Sequence, residues 1–469
     1  MDILERFLQF EKDNDLFSRA YCGEHYWHFI RFGVYHQIRG INESEDDSYD
    51  NSWMKSSSQE KIKKFLRIVL CAVKMLFMKS PKKADILVND QNTYINIDGI
   101  RTNVFIDPLE KFFDMQHAYI SVNYKTNLVR KYPNSSTAML KLFVALFLSK
   151  VLNIYDDIKE EIFLDTLNDT INCEFGTKIK HLKAEARNSI ILSKTISVYA
   201  KKLLKKVQPK AILTKHHYNG RVFVLTNEAK RLGIPVIELQ HGMIGLKHAA
   251  YNFIDTAASA PYFPDYILTY GNYWTDNIRL PQGSKAITAG YLYSDDRIKK
   301  LAEIKRQKKA VFFYSNFNLS LIDVLVSFHD IAKSNGYTVV CKMHPREYAN
   351  WKTYYPSLYR AGIQVIDTPV DIYELFLSGT HHVGAGSTTM LEAIATHGHV
   401  HIHSSARIYL DDMLQLGAAK EFTTAEELMD NILLLDCDAS FQKNNEIADY
   451  LFEPNALENQ IDIIKRIIS

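Results

Sequence analysis

Short apolar runs alternate with amphipathic stretches through the second half of the chain. KAVFFYSN, SLIDVLVSFHDIAKSNG, YTVVCKM, IQVID, DIYELFLSG, HHVG, STTMLEAIATHG and VHIHS follow one another in order. The apolar runs are short and rich in β-branched and aromatic residues, which predicts strands; the intervening stretches carry apolar residues at helical spacing, which predicts helices. Such alternation places parallel strands in one sheet with helices on both faces. Earlier in the chain the pattern is looser. ADILVND and AYISVNY predict strands, with INIDGI and NVFIDPL as strand or loop pieces between them, and a long helical stretch runs from about Ala138 to Leu204. AILTK, the helix VFVLTNEAKRLG, PVIELQ and DYILTY continue the series to a hinge near Pro281. Residues 1–80 predict a helix-rich extension, with WHFIRFGVYHQIRG as its most apolar part and the acidic NESEDDSYDNS as a break. The pattern divides the chain into a helical extension over 1–80, a first α/β domain over 81–282 and a second over 283–469, which ends in a helix.

In an open parallel sheet, ligands bind at the carboxyl ends of the strands. Two spots of the second domain fall there. His344 stands where TVVCKM ends, and Gly386, Ser387, Thr388 and Thr389 stand where HHVG passes into the helical MLEAIATHG. Glycines at 384 and 386 permit a tight turn, and the unpaired amide N–H groups opening the next helix attract an anion. The hydroxyls add donors without charge, and His344 can donate to a phosphate oxygen. Lys342 adds a cation beside it, and Glu392, one turn into the helix, is placed to reach ribose hydroxyls. Each of these residues also has an ordinary structural reading, as a helix cap, a loop histidine or a dipole-favoured carboxylate; their convergence on one edge favours a phosphate site.

The pairing of HP after one strand with a Ser/Thr-rich turn after a later one resembles the GT-B glycosyltransferases of bacterial surface polysaccharides, particularly sialyltransferases, Kdo transferases and CDP-glycerol polymerases. The resemblance runs from about Ile86 to the end. It implies two doubly wound Rossmann-like domains facing a cleft, and contacts from His344, Ser387 and Thr388 to the phosphate of a UDP- or CMP-linked donor. It also implies capsule or lipopolysaccharide synthesis, with a last helix crossing back to the first domain.

Sugar transfer needs a base on the acceptor side. In ELQHG, His241 follows the strand PVIEL, with Gln240 and Gly242 beside it. A histidine titrates near neutrality and suits removal of a hydroxyl proton; the QHG string also resembles a recurring feature of capsule and lipopolysaccharide transferases. His216 and His217, in LTKHHYNGR, end another strand of the same sheet, with Lys215 and Arg221 as solvated charges near them. Asp98 is an alternative base, on the resemblance to sialyltransferases that use an acidic residue in the first domain.

The rest of the composition narrows the class. At 469 residues the chain accommodates two domains with an extension, and 46% hydrophobic with 23% charged residues is ordinary for a globular protein. A net charge of +2 supplies no electrostatic excess for tracking a nucleic acid. Five scattered cysteines without a CxxC pair predict a reducing compartment and no zinc site. The acidic amino terminus lacks the form of a secretory signal, which predicts a cytoplasmic location. Residues 61–83, an apolar run between lysine clusters, read either as a helix lying on the inner face of the plasma membrane or as a core helix with snorkelling lysines. No DxD motif stands in a suitable place, and the histidines at 399, 401 and 403 share one strand face without a carboxylate or cysteine pattern around them. The chain therefore predicts a metal-independent, cofactor-free and inverting transferase acting on a glycan or lipid-linked acceptor. A CDP-glycerol-type polyol-phosphate transferase, a nucleotide-sugar 2-epimerase and a non-catalytic nucleotide-binding subunit remain as alternatives.

Overall fold

The computed structural model describes residues 2–40, 82–89, 94–97, 100–118, 157–254, 260–386, 388–436 and 438–469. Two six-stranded sheets organise them. In the first, the strands lie in the spatial order Lys285–Thr288, Tyr266–Thr269, Val236–Leu239, Ala211–Thr214, Ile86–Asn89, Met115–Ala118, all parallel. In the second the order is Gln364–Ile366, Thr338–Lys342, Ala310–Tyr314, His381–Gly384, His399–His403, Ala419–Phe422, again all parallel. Strands such as Ile86–Asn89, Ala211–Thr214 and Ala310–Tyr314 are buried along their whole length, as uninterrupted apolar runs require when helices cover both faces.

Both sheets reverse direction partway through. The first domain follows a 2-1-3-4-5-6 order and switches between Ile86–Asn89 and Ala211–Thr214; the second follows 3-2-1-4-5-6 and switches between Ala310–Tyr314 and His381–Gly384. At such a switch point the flanking connections leave on opposite faces and open a crevice at the carboxyl edge. Asn89 and Thr214 line the first crevice, joined by a 3.1 Å bond from Asn89 Nδ2 to Thr214 Oγ1. Ser315 and Ala385 follow the strands flanking the second.

The two carboxyl edges face each other. The loop after Val236–Leu239 meets the helix Arg407–Leu416 of the second domain, where Lys247 Nζ reaches Asp411 Oδ2 at 2.8 Å and Asp412 Oδ1 at 3.6 Å. A methyl group on Gly245 would stand 2.9 Å from Asp412 Oδ2, so the two segments approach closely here. On the other side the closing helices Asp438–Leu451 and Ala456–Ile468 return to the first domain. Trp274 Nε1 donates to Leu451 O at 2.9 Å, Glu453 N to Tyr270 O at 2.7 Å and Gln460 Nε2 to Gly290 O at 2.9 Å. The result is a GT-B arrangement of two Rossmann-like α/β domains.

Three local readings change. The strand Lys285–Thr288 belongs to the first sheet, so the chain leaves that sheet after residue 288 rather than near 282. Tyr94–Ile97 pairs antiparallel with Ile100–Asn103 as a two-stranded sheet separate from the main one. The helix Trp27–Ile38 of the extension packs into the same apolar core as the first sheet. A buried Arg31 fastens it: the guanidinium pairs with Glu11 at 2.7 Å and donates to Ala249 O and Asn252 O beyond His241. Residues 61–81, Asp98 and Ser387 lie outside the described residues. Among the described residues no helix is long and apolar enough to cross a membrane.

Candidate active site

The carboxyl edge of the first sheet is a compact cluster of imidazole and phenol rings. His216 and His217 follow the third strand, and His241 follows the fourth by two residues. His216 takes a left-handed backbone conformation, φ 55°, which is unusual without glycine and brings its ring edge-on to that of His241 with 3.5 Å between centroids. His241 Nε2 lies 3.0 Å from the hydroxyl of Tyr218. Its Nδ1 is buried and lies 3.9 Å from Glu238 Oε1.

Glu238 is fully buried at the last turn of the strand before His241. Burial pushes its carboxyl up, but the charge of His217 and bonds from His217 and Tyr251 outweigh that and hold it below the usual carboxylate range. His217 Nδ1 donates to Glu238 Oε2 at 2.7 Å, Tyr251 Oη donates to Oε1 at 2.7 Å, and His217 Nε2 donates to Ala250 O at 3.0 Å. His217 is thus a buried strut with both nitrogens committed. Gln240 is another: it accepts from Tyr270 N at 2.7 Å and donates to Gly242 O at 2.7 Å, which pins the turn after the strand. Gly242 has an ordinary φ and open space where a side chain would stand, so the turn does not depend on glycine there.

The extension contributes to this edge. Phe32 stacks on His248 with 5.0 Å between ring centroids and stands 4.7 Å from Tyr218, and His36 stands 4.2 Å from Phe32. Burial lowers the basicity of four imidazoles at this edge: His36 and His216 to about 4, His248 to about 3, and His241 well below the ordinary value. All four are neutral rings at pH 7. Lys215, read from the sequence as a solvated charge, is buried, with Nζ 5.1 Å from the centre of the Phe105 ring.

The carboxyl edge of the second sheet is built differently. His344 stands two residues past Thr338–Lys342 on a loop organised by Glu347, which is completely buried. Its carboxylate accepts from His344 N at 3.0 Å, Ser315 Oγ at 2.6 Å, Phe317 N at 3.1 Å and the Tyr355 hydroxyl. His344 Nδ1 accepts from Arg346 N at 3.2 Å, which leaves the proton on Nε2 as an outward donor. Burial lowers the pKa of His344, so that donor is a neutral imidazole.

Across the switch point, Gly386 takes a left-handed φ of 62° and ends the turn ahead of the helix Thr388–Ala395. Thr389 lies in its first turn. Lys342 points elsewhere: Nζ donates to Met343 O at 2.9 Å and to the Tyr348 hydroxyl, and burial lowers its pKa to about 8. Glu392 accepts from the Tyr373 hydroxyl at 2.6 Å and lies near Tyr270 and Tyr291, where burial raises its pKa to about 7. Tyr270 and Tyr291 stack at 4.4 Å, and each flanks a further ring, Phe452 and Phe105 respectively.

The histidines of the strands His381–Gly384 and His399–His403 belong to the second sheet. His381 bridges His401 Nε2 at 3.1 Å and Asp436 Oδ1 at 3.0 Å. Among the described residues no group of three or more His, Cys, Asp or Glu is placed to hold a metal ion.

The sequence reading missed Tyr218, Glu238, Tyr251, Ser315 and Glu347, along with the whole contribution of Trp27–Ile38. Glu347 had a legible signal, an acidic residue three positions after the HP histidine. Glu238 had one as well, a lone carboxylate inside an apolar strand, since buried charges are paired.

No family model matches the chain, and no curated protein is similar to it. Several solved structures resemble it at low identity. The chain is similar to a putative UDP-N-acetylglucosamine 2-epimerase from Listeria monocytogenes at 12% identity and a TM-score of 0.48, covering 82% of this chain and 96% of the other. It is similar to CalG4, the calicheamicin glycosyltransferase, at 10% identity and a TM-score of 0.45, covering 82% and 98%. MurG from Acinetobacter baumannii matches at 14% identity and a TM-score of 0.41, covering 60% and 79%. Likeness at this level carries no inference about activity or ligand.

Proposed function

We propose that this chain is a metal-independent, inverting glycosyltransferase that moves a sugar from a UDP- or CMP-linked donor to a hydroxyl of a glycan or lipid-linked acceptor. One observation carries the reading: two opposed carboxyl edges, one offering neutral anion-binding donors and the other a neutral imidazole backed by a buried carboxylate. Donor phosphates are assigned to the turn at Gly386, the first turn of Thr388–Ala395 with Thr388 and Thr389, and His344 Nε2, with Ser387 kept as a candidate from the sequence. Glu392 is assigned to the ribose, and Lys342 supports the loop from behind.

In this reaction the acceptor oxygen forms its bond to the anomeric carbon as the bond to the phosphate oxygen breaks. The electron pair leaves with the nucleotide, whose new charge is met by amide dipoles and the His344 donor. The acceptor's proton passes to the His241 system, where Glu238 stabilises the resulting imidazolium. Capsule or lipopolysaccharide glycans are the proposed acceptor class, and action at the inner membrane face is part of the same reading.

Thermal-shift screening of the full chain against CMP, CDP, UDP, GDP and their sugar conjugates tests it, because a ligand that binds only the folded state raises Tm. A shift with a sugar nucleotide, followed by acceptor-dependent release of free nucleotide that survives chelator, is the expected result. Binding without any release in the presence of glycan acceptors would favour a non-catalytic nucleotide-binding subunit.

A further inference from the structure

The hydrogen bond between Tyr218 and His241 has a direction, and the direction changes which atom meets the acceptor. The two atoms, Tyr218 Oη and His241 Nε2, are 3.0 Å apart. The other ring nitrogen decides who donates. His241 Nδ1 is buried, makes no hydrogen bond, and faces Glu238 Oε1 at 3.9 Å. Glu238 is held as a carboxylate by three donors, His217 Nδ1 at 2.7 Å, His217 N at 3.3 Å and Tyr251 Oη at 2.7 Å.

A lone pair on Nδ1 would face that carboxylate across a buried gap and be repelled; a proton there is attracted. The proton of the neutral ring therefore sits on Nδ1. Nε2 carries the lone pair, and Tyr218 donates to it. The nitrogen that would act as base is already covered by a hydroxyl.

We infer that Tyr218, rather than His241, contacts the acceptor hydroxyl, and that it relays the proton to the imidazole behind it. This rests on the transferase reading above. In the step, the acceptor O–H bond breaks and its proton forms a new bond to Tyr218 Oη. The phenol's former proton moves to His241 Nε2, and the acceptor oxygen attacks the anomeric carbon. Tyr218 ends neutral, His241 ends as an imidazolium facing Glu238, and the nucleotide carries away the electron pair. The surroundings fit a relay confined to one path. His216 meets the His241 ring edge-on, and Phe32 and His248 pack around Tyr218 at 4.7 and 5.4 Å between centroids. Glu238 is the carboxylate that faces the His241 ring.

The test uses the full chain in two arms. Multiple-bond ¹⁵N–¹H NMR of the histidine rings, with the His241 signals assigned from His241→Gln, is expected to show the Nδ1–H tautomer in the wild type. In Tyr218→Phe the Nε2 resonance should shift as its donor is lost, while the His217 signals stay in place. A wild-type His241 in the Nε2–H form, or signals indifferent to Tyr218→Phe, would overturn the inference. In the second arm, release of nucleotide from whichever sugar nucleotide raises Tm is followed in Tyr218→Phe. The relay predicts a fall in kcat of about 100-fold or more with donor KM changed less than about threefold. An unchanged or raised kcat would show that the phenol only covers the imidazole and would overturn the relay while leaving the transferase reading intact. A wild type that neither binds nor consumes any sugar nucleotide would overturn both.

Discussion

The two carboxyl edges that face each other in this molecule are both built from parallel strands, yet they place polar groups in opposite ways. On the first domain the side chains at the edge are bonded mostly to one another, through Glu238, His217, Tyr251, His241 and Tyr218. On the second domain the buried carboxylate, Glu347, spends its bonds on backbone amides and hydroxyls of its own loop and thereby frees one imidazole N–H to point outward. The difference separates two kinds of site. A network that closes on itself fixes protonation states and suits proton transfer; a scaffold that turns donors outward suits an anion.

Exchanging damage between the two edges gives the largest effects. His241→Ala should lower transfer by about two to four orders of magnitude with nucleotide affinity nearly unchanged. His344→Ala should weaken nucleotide binding by about tenfold, the loss of one charge-assisted bond. Titration calorimetry together with product release checks both, and a variant that moved both quantities equally would erase the distinction between the edges.

Next in size is the buried carboxylate of the first edge. Glu238→Ala leaves the His217 ring and the Tyr251 hydroxyl without their shared acceptor in a closed interior. Urea unfolding should show a loss of about 3–5 kcal/mol. Glu347→Ala should cost less, about 1–3 kcal/mol, because the groups it leaves unpaired are hydroxyls and backbone amides, and it should reproduce the binding defect of His344→Ala.

A smaller effect is expected from pH. Burial raises Glu392 from the ordinary carboxyl range to about 7, so between about pH 4.5 and 7 the folded state binds a proton that the unfolded state has released. Stability should fall as pH rises through that window, by on the order of 3 kcal/mol, and level off above it. Glu392→Gln should flatten this part of the profile and raise Tm above pH 7. The smallest change is expected at the contact between the domains. Lys247→Ala removes a partly exposed ion pair to Asp411 and should cost less than about 1 kcal/mol, with more effect at low salt than at high salt.

Much of this arrangement was legible beforehand in particular residues. The runs TVVCKM and HHVG marked strands because a sheet covered on both faces needs unbroken apolar segments, and the polar residues just after them had nowhere to go but the edge. That logic located His344, Gly386, His216 and His241. It failed for His217 and Gln240, which occupy the same edge but turn inward to brace Glu238 and the turn at Gly242. Direction within an edge depends on partners contributed by other strands and loops, and a single segment does not display them. The strand Lys285–Thr288 was put on the wrong side of the domain boundary for a related reason, since pairing is decided between segments rather than within them.

The sequence alone determined the α/β class, the two runs of parallel strands and the loops that carry polar chemistry, because periodicity and turn residues act over a few neighbouring positions. Only the tertiary structure decided that helix Trp27–Ile38 walls the carboxyl edge of the first sheet, that Glu238 and Glu347 are the buried anchors, and that four histidines are neutral. Those properties come from desolvation and from contacts between residues distant in the chain, such as Arg31 with Ala249 and Tyr218 with His241.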